Sequence, residues 1–349
     1  MGRPEIRRWR VSPTTLKLIA CILLGTSGTA LAQSVWRAGW ANDEFFNSDN
    51  QFTNGIFLQE HSELAESLAA TRGTPAFGKG LANWVLPARA GLHYRETWAV
   101  GHNFQTPDDI GRDDVILTDV PYISMAGWAN SFIAFNDEEL TGFQTMLGWA
   151  GDLTLGEQLQ KAAHGISGAT DPRGWDNQLK NEPLLNVYAM RKQKFYSGRW
   201  MDAAWNVDAA LGNFFTFGQA ALEFRFGHRP GGFAPAPTPF GRNLDYDARI
   251  QAPGESYFYA SAIVRGTGLL FAMPRHGNLL RSGNEWTDNE RIDPNNLLGQ
   301  LVLGLHYERA NWGLHFTMHL ATDSVDTEPG TDLSDPSNNF GILTAEWKF

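Results

Sequence analysis

The sequence predicts an all-β protein, a transmembrane antiparallel β-barrel of about twelve strands with a short helical insertion. Three features predict this: segments of about ten residues in which apolar and polar side chains alternate, a final strand that ends in phenylalanine, and a leader typical of exported proteins. Mean hydropathy is −0.31, and the chain beyond the leader has no apolar run of about eighteen residues, which excludes helical membrane spans. A closed barrel satisfies the backbone polar groups of strands in lipid.

The first 32 residues predict a removable signal peptide, so we expect residues 33–349 to form a single outer-membrane β-barrel domain. Basic residues precede the apolar stretch 18–24, and small residues lie before the predicted cleavage at Gln33. The alternative is a lipoprotein cleavage site at Cys21. Because Cys21 is the only cysteine, we expect the mature chain to have no disulfide, thiolate nucleophile or cysteine metal site. The net charge of −10 argues against nucleic acid as a partner.

The strand pattern is clearest near the C-terminus. In residues 311–321 every second side chain is apolar, and residues 298–309 alternate in the same way. The short connection at Arg309 and Ala310 suits a hairpin. The last strand has one apolar face, formed by Leu343, Ala345, Trp347 and Phe349. A strand that ends in this way resembles the assembly signal of bacterial outer-membrane barrels.

Twelve segments are predicted as strands: residues 35–46, 51–62, 91–103, 121–136, 139–151, 185–197, 199–212, 214–228, 255–270, 298–309, 311–322 and 338–349. An even number is typical of single-chain bacterial barrels. Short turns are expected to face the periplasm and long loops the exterior. The long segments are residues 63–90, 152–184, 229–254, 271–297 and 323–337.

One segment departs from the strand periodicity. Residues 155–164 predict a short amphipathic helix in which Leu155, Leu159 and Ala162 share the apolar face. His164 is expected to end this helix, with Gly165 as the stop. A histidine at this position either interacts with the helix dipole or belongs to a functional site.

Polar residues also interrupt the first two predicted strands. Asn42 and Asp43 lie in a tryptophan-rich strand, where an amide and a carboxylate are unfavourable unless they line a polar interior or a site. Thr53 follows in the next strand. The alternative is a polar hairpin in which residues 47–50 form the turn.

These residues, in this order, resemble the pattern of the outer-membrane lipid A 3′-O-deacylases. That pattern is an Asn-Asp pair, a Tyr/Phe-Thr-x-Gly strand, a histidine on a helix and a Trp-x-x-Gln motif. The chain has Asn and Asp at 42–43, Phe-Thr-Asn-Gly at 52–55, His164, and Trp-Asp-Asn-Gln at 175–178. Residues 105–110 are similar to a further loop of the family. The resemblance extends from the first strand to about residue 190.

One position departs from the family pattern. Many relatives have Asp-Arg-Pro-Tyr-Ala-Gly, whereas residues 119–124 of this chain are Asp-Val-Pro-Tyr-Ile-Ser. Val120 therefore replaces the basic residue, and any phosphate contact made by that residue is expected to be absent. We therefore expect a substrate preference that differs from that of these relatives.

The resemblance implies an outer-membrane carboxylic ester hydrolase that removes the 3′-linked acyloxyacyl chain of lipid A with the help of calcium. It implies that His164 is the general base for an attacking water, a role that suits histidine because its unperturbed pKa lies near neutral pH. Asp43 would help to bind Ca²⁺, a hard cation that prefers oxygen ligands and would stabilise an oxyanion. Asn42 and Thr53 would position water or donate hydrogen bonds.

Trp175 and Gln178 are expected to support the helix that carries His164. The chain has no Gly-x-Ser-x-Gly motif, and Ser167 lacks that spacing, so an activated water is preferred to an acyl-enzyme. The expected partner is lipid A or lipopolysaccharide in the bacterial outer membrane, and no protein partner is inferred.

Three alternatives share the leader and the barrel. The first is a narrow, porin-like channel, although about twelve strands give a narrower lumen than the 16–18 strands of typical porins. The second is a calcium-dependent outer-membrane phospholipase, and the third is a structural or adhesive barrel. Conductance without hydrolysis would favour the channel, and hydrolysis of glycerophospholipid but not lipid A would favour the phospholipase.

Overall fold

The computed structural model describes residues 34–43, 45, 51–71, 77–238, 242–244, 246–247, 254–327 and 337–349. The predicted signal peptide and the predicted turn at 47–50 lie outside these residues. None of the helices described is both long enough and apolar enough to cross a membrane.

Within the described residues, twelve strands form one closed barrel in which all neighbours are antiparallel. The barrel strands are β1 (Val35–Asn42), β2 (Gln51–His61), β3 (His93–Thr106), β4 (Ile123–Phe135), β5 (Glu139–Ala150), β6 (Glu182–Ser197), β7 (Met201–Gly212), β8 (Phe215–His228), β9 (Ser256–Ala272), β11 (Leu297–Arg309), β12 (Trp312–Ala321) and β14 (Phe340–Lys348). Strands β10 (Ile292–Pro294) and β13 (Val325–Thr327) form a separate two-stranded sheet. The prediction of a twelve-stranded barrel is confirmed, with each predicted segment overlapping one barrel strand.

The barrel closes where its first strand meets its last. Val35 of β1 pairs with Lys348 of β14, and Asn42 pairs with Gly341. The alternation that predicted the strands separates the two faces of the wall: on β12, Thr317 is buried toward the lumen, whereas Leu314 faces outward and is 45% exposed.

In the described part of the chain, four α-helices lie in the connections: α1 (Phe77–Val85), α2 (Gly156–Ser167), α3 (Met273–His276) and α4 (Glu285–Asn289). Of these, the sequence predicted only α2. Helix α1 packs on the outer wall of the barrel, where a Cβ built on Gly78 would lie 3.1 Å from Oγ1 of Thr145 and 3.2 Å from Oδ1 of Asn130. Ala82 of the same helix is fully buried in an apolar cluster with Tyr94 and Phe132.

The connections alternate between the two ends of the barrel. The end that carries residues 34 and 349, here called the terminal end, also carries the short turns β4–β5, β6–β7 and β11–β12. The long β2–β3 and β8–β9 connections lie at this end too, so the expectation that residues 63–90 and 229–254 face away from the short turns is wrong. In an antiparallel barrel the order of a connection along the chain decides its side, and its length does not. The opposite end is called the loop end.

The described part of the β8–β9 connection folds back into the lumen. Its Arg242 pairs with Asp208 on β7, and the backbone N–H of Asn243 donates to Oε1 of Gln144 on β5 at 2.8 Å. Leu244 has no exposed surface. These contacts join the connection to the inner faces of β5 and β7, so it fills part of the lumen. This filling disfavours a freely conducting channel.

Paired charges fill the lumen near the terminal end. Nζ of Lys348 lies 3.1 Å from Oε2 of Glu308 and 2.9 Å from Oε1 of Glu346. Lys192 pairs with Glu223 at 2.8 Å. These side chains are almost completely buried. Because an unpaired buried charge is strongly unfavourable, such pairs hold neighbouring strands in register.

Candidate functional site

The ends of β1 and β2 bring Asn42 and Thr53 together on the barrel wall at the loop end. Asn42 faces Asn54 across the two strands, and its side-chain amide donates to the carbonyl of Thr53 at 2.9 Å. A bulge in β2 makes Thr53 an extra residue between Phe52 and Asn54. Phe52 belongs to a buried cluster with Phe340, whereas Asn54 accepts a hydrogen bond from the outward-facing Trp40. The bulge thus decides where Thr53 points.

Thr106, the last residue of β3, completes this group. Its Oγ1 lies 2.9 Å from Oγ1 of Thr53, and its side chain is fully buried. Thr106 belongs to this group, but the sequence analysis gave it no role beyond its place in the segment 105–110 that is similar to a family loop. Its contact with Thr53 was not predictable, because the pairing of β2 with β3 and the bulge at Thr53 together create it.

Asp43 directly follows Asn42 and is 2% exposed. A carboxylate at such depth needs hydrogen bonds or a cation to offset the loss of water. Within the described residues, no group of three or more His, Cys, Asp or Glu side chains is arranged to hold a metal. Calcium also binds carbonyl and amide oxygens. The carboxylate of Asp43 is therefore a suitable calcium ligand, and it is the one carboxylate that the sequence analysis predicted for this role.

Helix α2 begins in direct contact with the outer wall of β3 and β4. A Cβ built on Gly156 would lie 2.3 Å from Cβ of Ser124, so the contact requires glycine. Nε2 of His102 on β3 lies 2.9 Å from the carbonyl oxygen of Thr154, just before the helix. Leu155 precedes the helix with φ = 63°, a left-handed conformation that is uncommon for a residue with a side chain.

The buried face of α2 differs from the predicted one. Gly156 and Gln160 are buried, whereas Leu155 and Leu159 are 55% and 45% exposed. His164 follows Gln160 by four residues and therefore shares its face. The apolar side chains of Leu155 and Leu159 therefore point away from the barrel.

His164 is held in a defined orientation by the chain that follows the helix. Its Nδ1 lies 2.5 Å from the carbonyl oxygen of Thr170. A carbonyl only accepts hydrogen bonds, so this contact assigns the proton to Nδ1 and, in the neutral ring, leaves the lone pair on Nε2. No hydrogen bond between described residues joins His164 to Asn42 or Thr53. His164, Asn42 and Thr53 lie on the same outer wall without such a contact.

The expectation that α2 ends at His164 is wrong. The helix continues through Gly165 to Ser167, and Gly168 ends it with φ = 77° while its N–H donates to the carbonyl of His164 at 2.7 Å. A left-handed residue terminates a helix, and glycine adopts this conformation at little cost. Gly165 is an interior helix residue.

Opposite effects are therefore expected from alanine at the two glycines. Gly165→Ala should stabilise α2 by about 1 kcal/mol through higher helix propensity. Gly168→Ala should destabilise it by a similar amount, about 1 kcal/mol, because alanine disfavours the left-handed conformation. A Cβ meets nothing within 4 Å at either position, so packing does not obscure the comparison. Hydrogen exchange of residues 156–167 measures both effects. A loss of protection in Gly165→Ala would contradict this assignment.

Trp175 and Gln178 contact different parts of the protein. Trp175 is 1% exposed, packs against Tyr122 with ring centroids 5.0 Å apart, and donates from Nε1 to Oε1 of Gln160 at 2.7 Å. It thereby joins the 3₁₀ turn Gly174–Asn177 to α2. The carbonyl of Gln178 accepts from Nδ2 of Asn284 at 3.1 Å, which connects it to the start of α4.

Val120, where the family pattern has a basic residue, does not face this group of side chains. It is fully buried in an apolar cluster with Ile123 and Leu179. The preceding Asp119 is also buried, and its carboxylate accepts the N–H of Asp108 at 2.8 Å. The position has a packing role in this chain.

Comparisons with known proteins agree with this architecture. The family model described as outer membrane protein LpxR matches residues 18–349. Among solved structures, LpxR from Salmonella typhimurium is similar with a TM-score of 0.66 and 14% identity, covering 90% of this chain and 100% of that one. The β domain of the Bordetella autotransporter BrkA is matched with a TM-score of 0.42 and 8% identity, covering 91% of this chain and 98% of that one. A sequence comparison with curated proteins finds no match. Because the family model covers nearly the whole chain, this protein belongs to the LpxR family of outer membrane proteins.

Proposed function

We propose that this protein is a lipid A deacylase of the outer membrane, an ester hydrolase that removes the 3′-linked acyloxyacyl chain with the help of calcium. Membership of the LpxR family supports deacylation of lipid A in the outer membrane. The 3′ position and the calcium requirement come from the sequence resemblance and remain part of the proposal.

The observation that carries the proposal is the orientation of His164. Its Nδ1–H is bound by the carbonyl of Thr170, and it lies on a helix that contacts the outer wall at Gly156 and is joined to Trp175 through Gln160. Asn42 and Thr53 lie on the same wall at the same end. A site on the outside of a membrane barrel is reached by a lipid from the side, without passage through the lumen.

In the proposed reaction, Nε2 of His164 takes a proton from water, and the water oxygen attacks the ester carbonyl carbon. The resulting tetrahedral intermediate collapses with cleavage of the ester C–O bond, and His164 returns the proton to the departing sugar oxygen. The products are the free acyloxyacyl carboxylic acid and a hydroxyl group on the sugar. The amide of Asn42 and the hydroxyl of Thr53 would orient the water or donate to the oxyanion. Asp43 would hold Ca²⁺, which when bound would supply positive charge beside that oxyanion.

Mass spectrometry of lipid A from cells that express the protein tests this function. We expect lipid A to lose the mass of the 3′-acyloxyacyl group and expect chelation of calcium to prevent the loss. The same sample should show unchanged glycerophospholipids. Unchanged lipid A in cells with a folded, calcium-supplied barrel would contradict the proposal, and cleavage of glycerophospholipids alone would support a phospholipase instead.

A further inference from the structure

The barrel lumen contains a cavity of about 230 Å³ toward the loop end. Inward-facing residues of β2, β3, β8, β9, β11, β12 and β14 form its walls, the β8–β9 connection contributes Thr238 and Arg242, and α3 contributes Pro274 and Arg275. Gln219, Thr267 and Gln300 line it and are only half-buried, so solvent reaches the cavity. The cavity is separated by the barrel wall from the outward-facing site around His164.

Three arginines line this cavity, and none of the described lining residues is acidic. Arg242 is paired with Asp208, which lies behind it on β7. Arg265 donates from Nη1 to Oε1 of Gln300 at 2.8 Å.

Arg275 is the least compensated of the three. Within the described part of the chain it makes no ion pair or hydrogen bond, although it is half-buried at the cavity wall. Desolvation by the surrounding protein lowers its pKa to about 10. A guanidinium that loses water without gaining an anion is unfavourable, and a bound carboxylate or phosphate would compensate it.

The remaining wall is apolar and aromatic. Phe52, Phe217, Leu269 and Phe340 line the cavity together with the buried amide of Asn103. The side-chain oxygen of Asn103 has no hydrogen-bond partner among the described residues. An apolar cavity of roughly 150 Å³ accepts benzene. A volume of about 230 Å³ therefore has room for one aromatic ring and a small polar group.

We propose that this cavity binds a small amphipathic anion, namely a carboxylate attached to an aromatic ring or a short aliphatic chain. The carboxylate is bound by the guanidinium groups of Arg275 and Arg265, which provide paired N–H donors. The apolar part packs against Phe217 and Leu269. This binding is independent of the proposed ester hydrolysis, because the two sites lie on opposite faces of the wall.

Titration of the full mature chain in neutral detergent with benzoate tests the proposal, with binding followed by calorimetry. Benzyl alcohol has the same ring without the charge, and inorganic phosphate has charge without a ring. We expect saturable benzoate binding in the millimolar range or tighter and at least tenfold weaker binding of both comparison compounds, about the contribution of one charged hydrogen bond. Arg275→Gln should weaken benzoate binding by about tenfold or more.

Arg281→Gln is the matched control. Arg281 lies in the same connection, is exposed and donates to the carbonyl of Asn181, outside the cavity lining. Benzoate affinity should be unchanged in this variant. Equal binding of benzyl alcohol or phosphate, unchanged affinity in Arg275→Gln, or lack of benzoate binding would overturn the proposal. Should Arg275→Gln fail to fold, Arg265→Gln provides the same comparison.

Discussion

Replacement of His164 by alanine is expected to lower the rate of lipid A deacylation by about 10²–10⁴-fold, the usual contribution of a positioned general base. The structure gives a specific reason: the Thr170 carbonyl fixes the proton on Nδ1, and Nε2 is then the nitrogen that can accept a proton from water. Purified lipid A in mixed micelles, analysed by mass spectrometry over time, provides the rates. The loss should appear in kcat, with KM little changed, because His164 is assigned to the chemical step.

His228→Ala is a suitable control. His228 is the last residue of β8 at the terminal end, where its ring lies 4.8 Å from that of Tyr257. Removal of this imidazole should leave the deacylation rate within about a factor of two, since it is remote from the outer-wall site. If folded His164→Ala kept more than about a tenth of the wild-type rate, the assignment of the general base would be wrong.

The strands were predictable from the sequence because the outer side of the wall requires apolar side chains and the inner side accepts polar ones. Leu314 and Phe316 face outward, and Thr317 and His319 face the lumen, so the period of two persists through β12. The same logic identifies Asn42 as unusual, because it shares an outward face with Trp36, Ala38 and Trp40.

The lumen-filling connection and α1 were not predictable in the same way. Residues 230–239 are rich in Pro, Gly and Ala, which suggests a surface loop, yet Phe233, Ala234 and Ala236 are fully buried. Small residues suit a narrow lumen as well as a loop, and composition does not distinguish the two. Helix α1 contacts the wall at Gly78. Glycine has low helix propensity, so the reason for a glycine at this position is seen only in that close contact.

In the candidate site too, the features that depend on residue type were predictable, and those that depend on contacts between distant residues were not. The residue types of Asn42, Thr53 and His164 were sufficient to propose them, because amides, hydroxyls and imidazoles carry the required chemistry. Thr106 was missed because it joins Thr53 only through the β2 bulge and the register with β3. The periodicity grouped Leu155, Leu159 and Ala162 on one face of α2 but did not determine which face contacts the barrel, and the structure turns Leu159 outward.

The second large effect is expected for the stability of the barrel, through Asp202 in the lumen. Its carboxylate accepts from Nε of Arg225 at 3.0 Å and lies 3.2 Å from Nζ of Lys194 and 2.9 Å from Nε of Arg229. Asp202→Ala leaves these buried cations without their shared anion, so we expect a loss of about 3–5 kcal/mol in the free energy of unfolding.

Asp114→Ala provides the control for this loss. Asp114 pairs with Arg112 at 2.6 Å, but its side chain is 60% exposed, and an exposed pair contributes little because water screens its charges. Urea unfolding of both variants in lipid vesicles, followed by tryptophan fluorescence, gives the two differences. A similar cost for both substitutions would show that water or neighbouring acids compensate the cations around Asp202, and that its carboxylate does not hold β7 to β8. A cost several-fold larger for Asp202 would identify this cluster as a principal link between the lumen and the closed wall that positions the outer site.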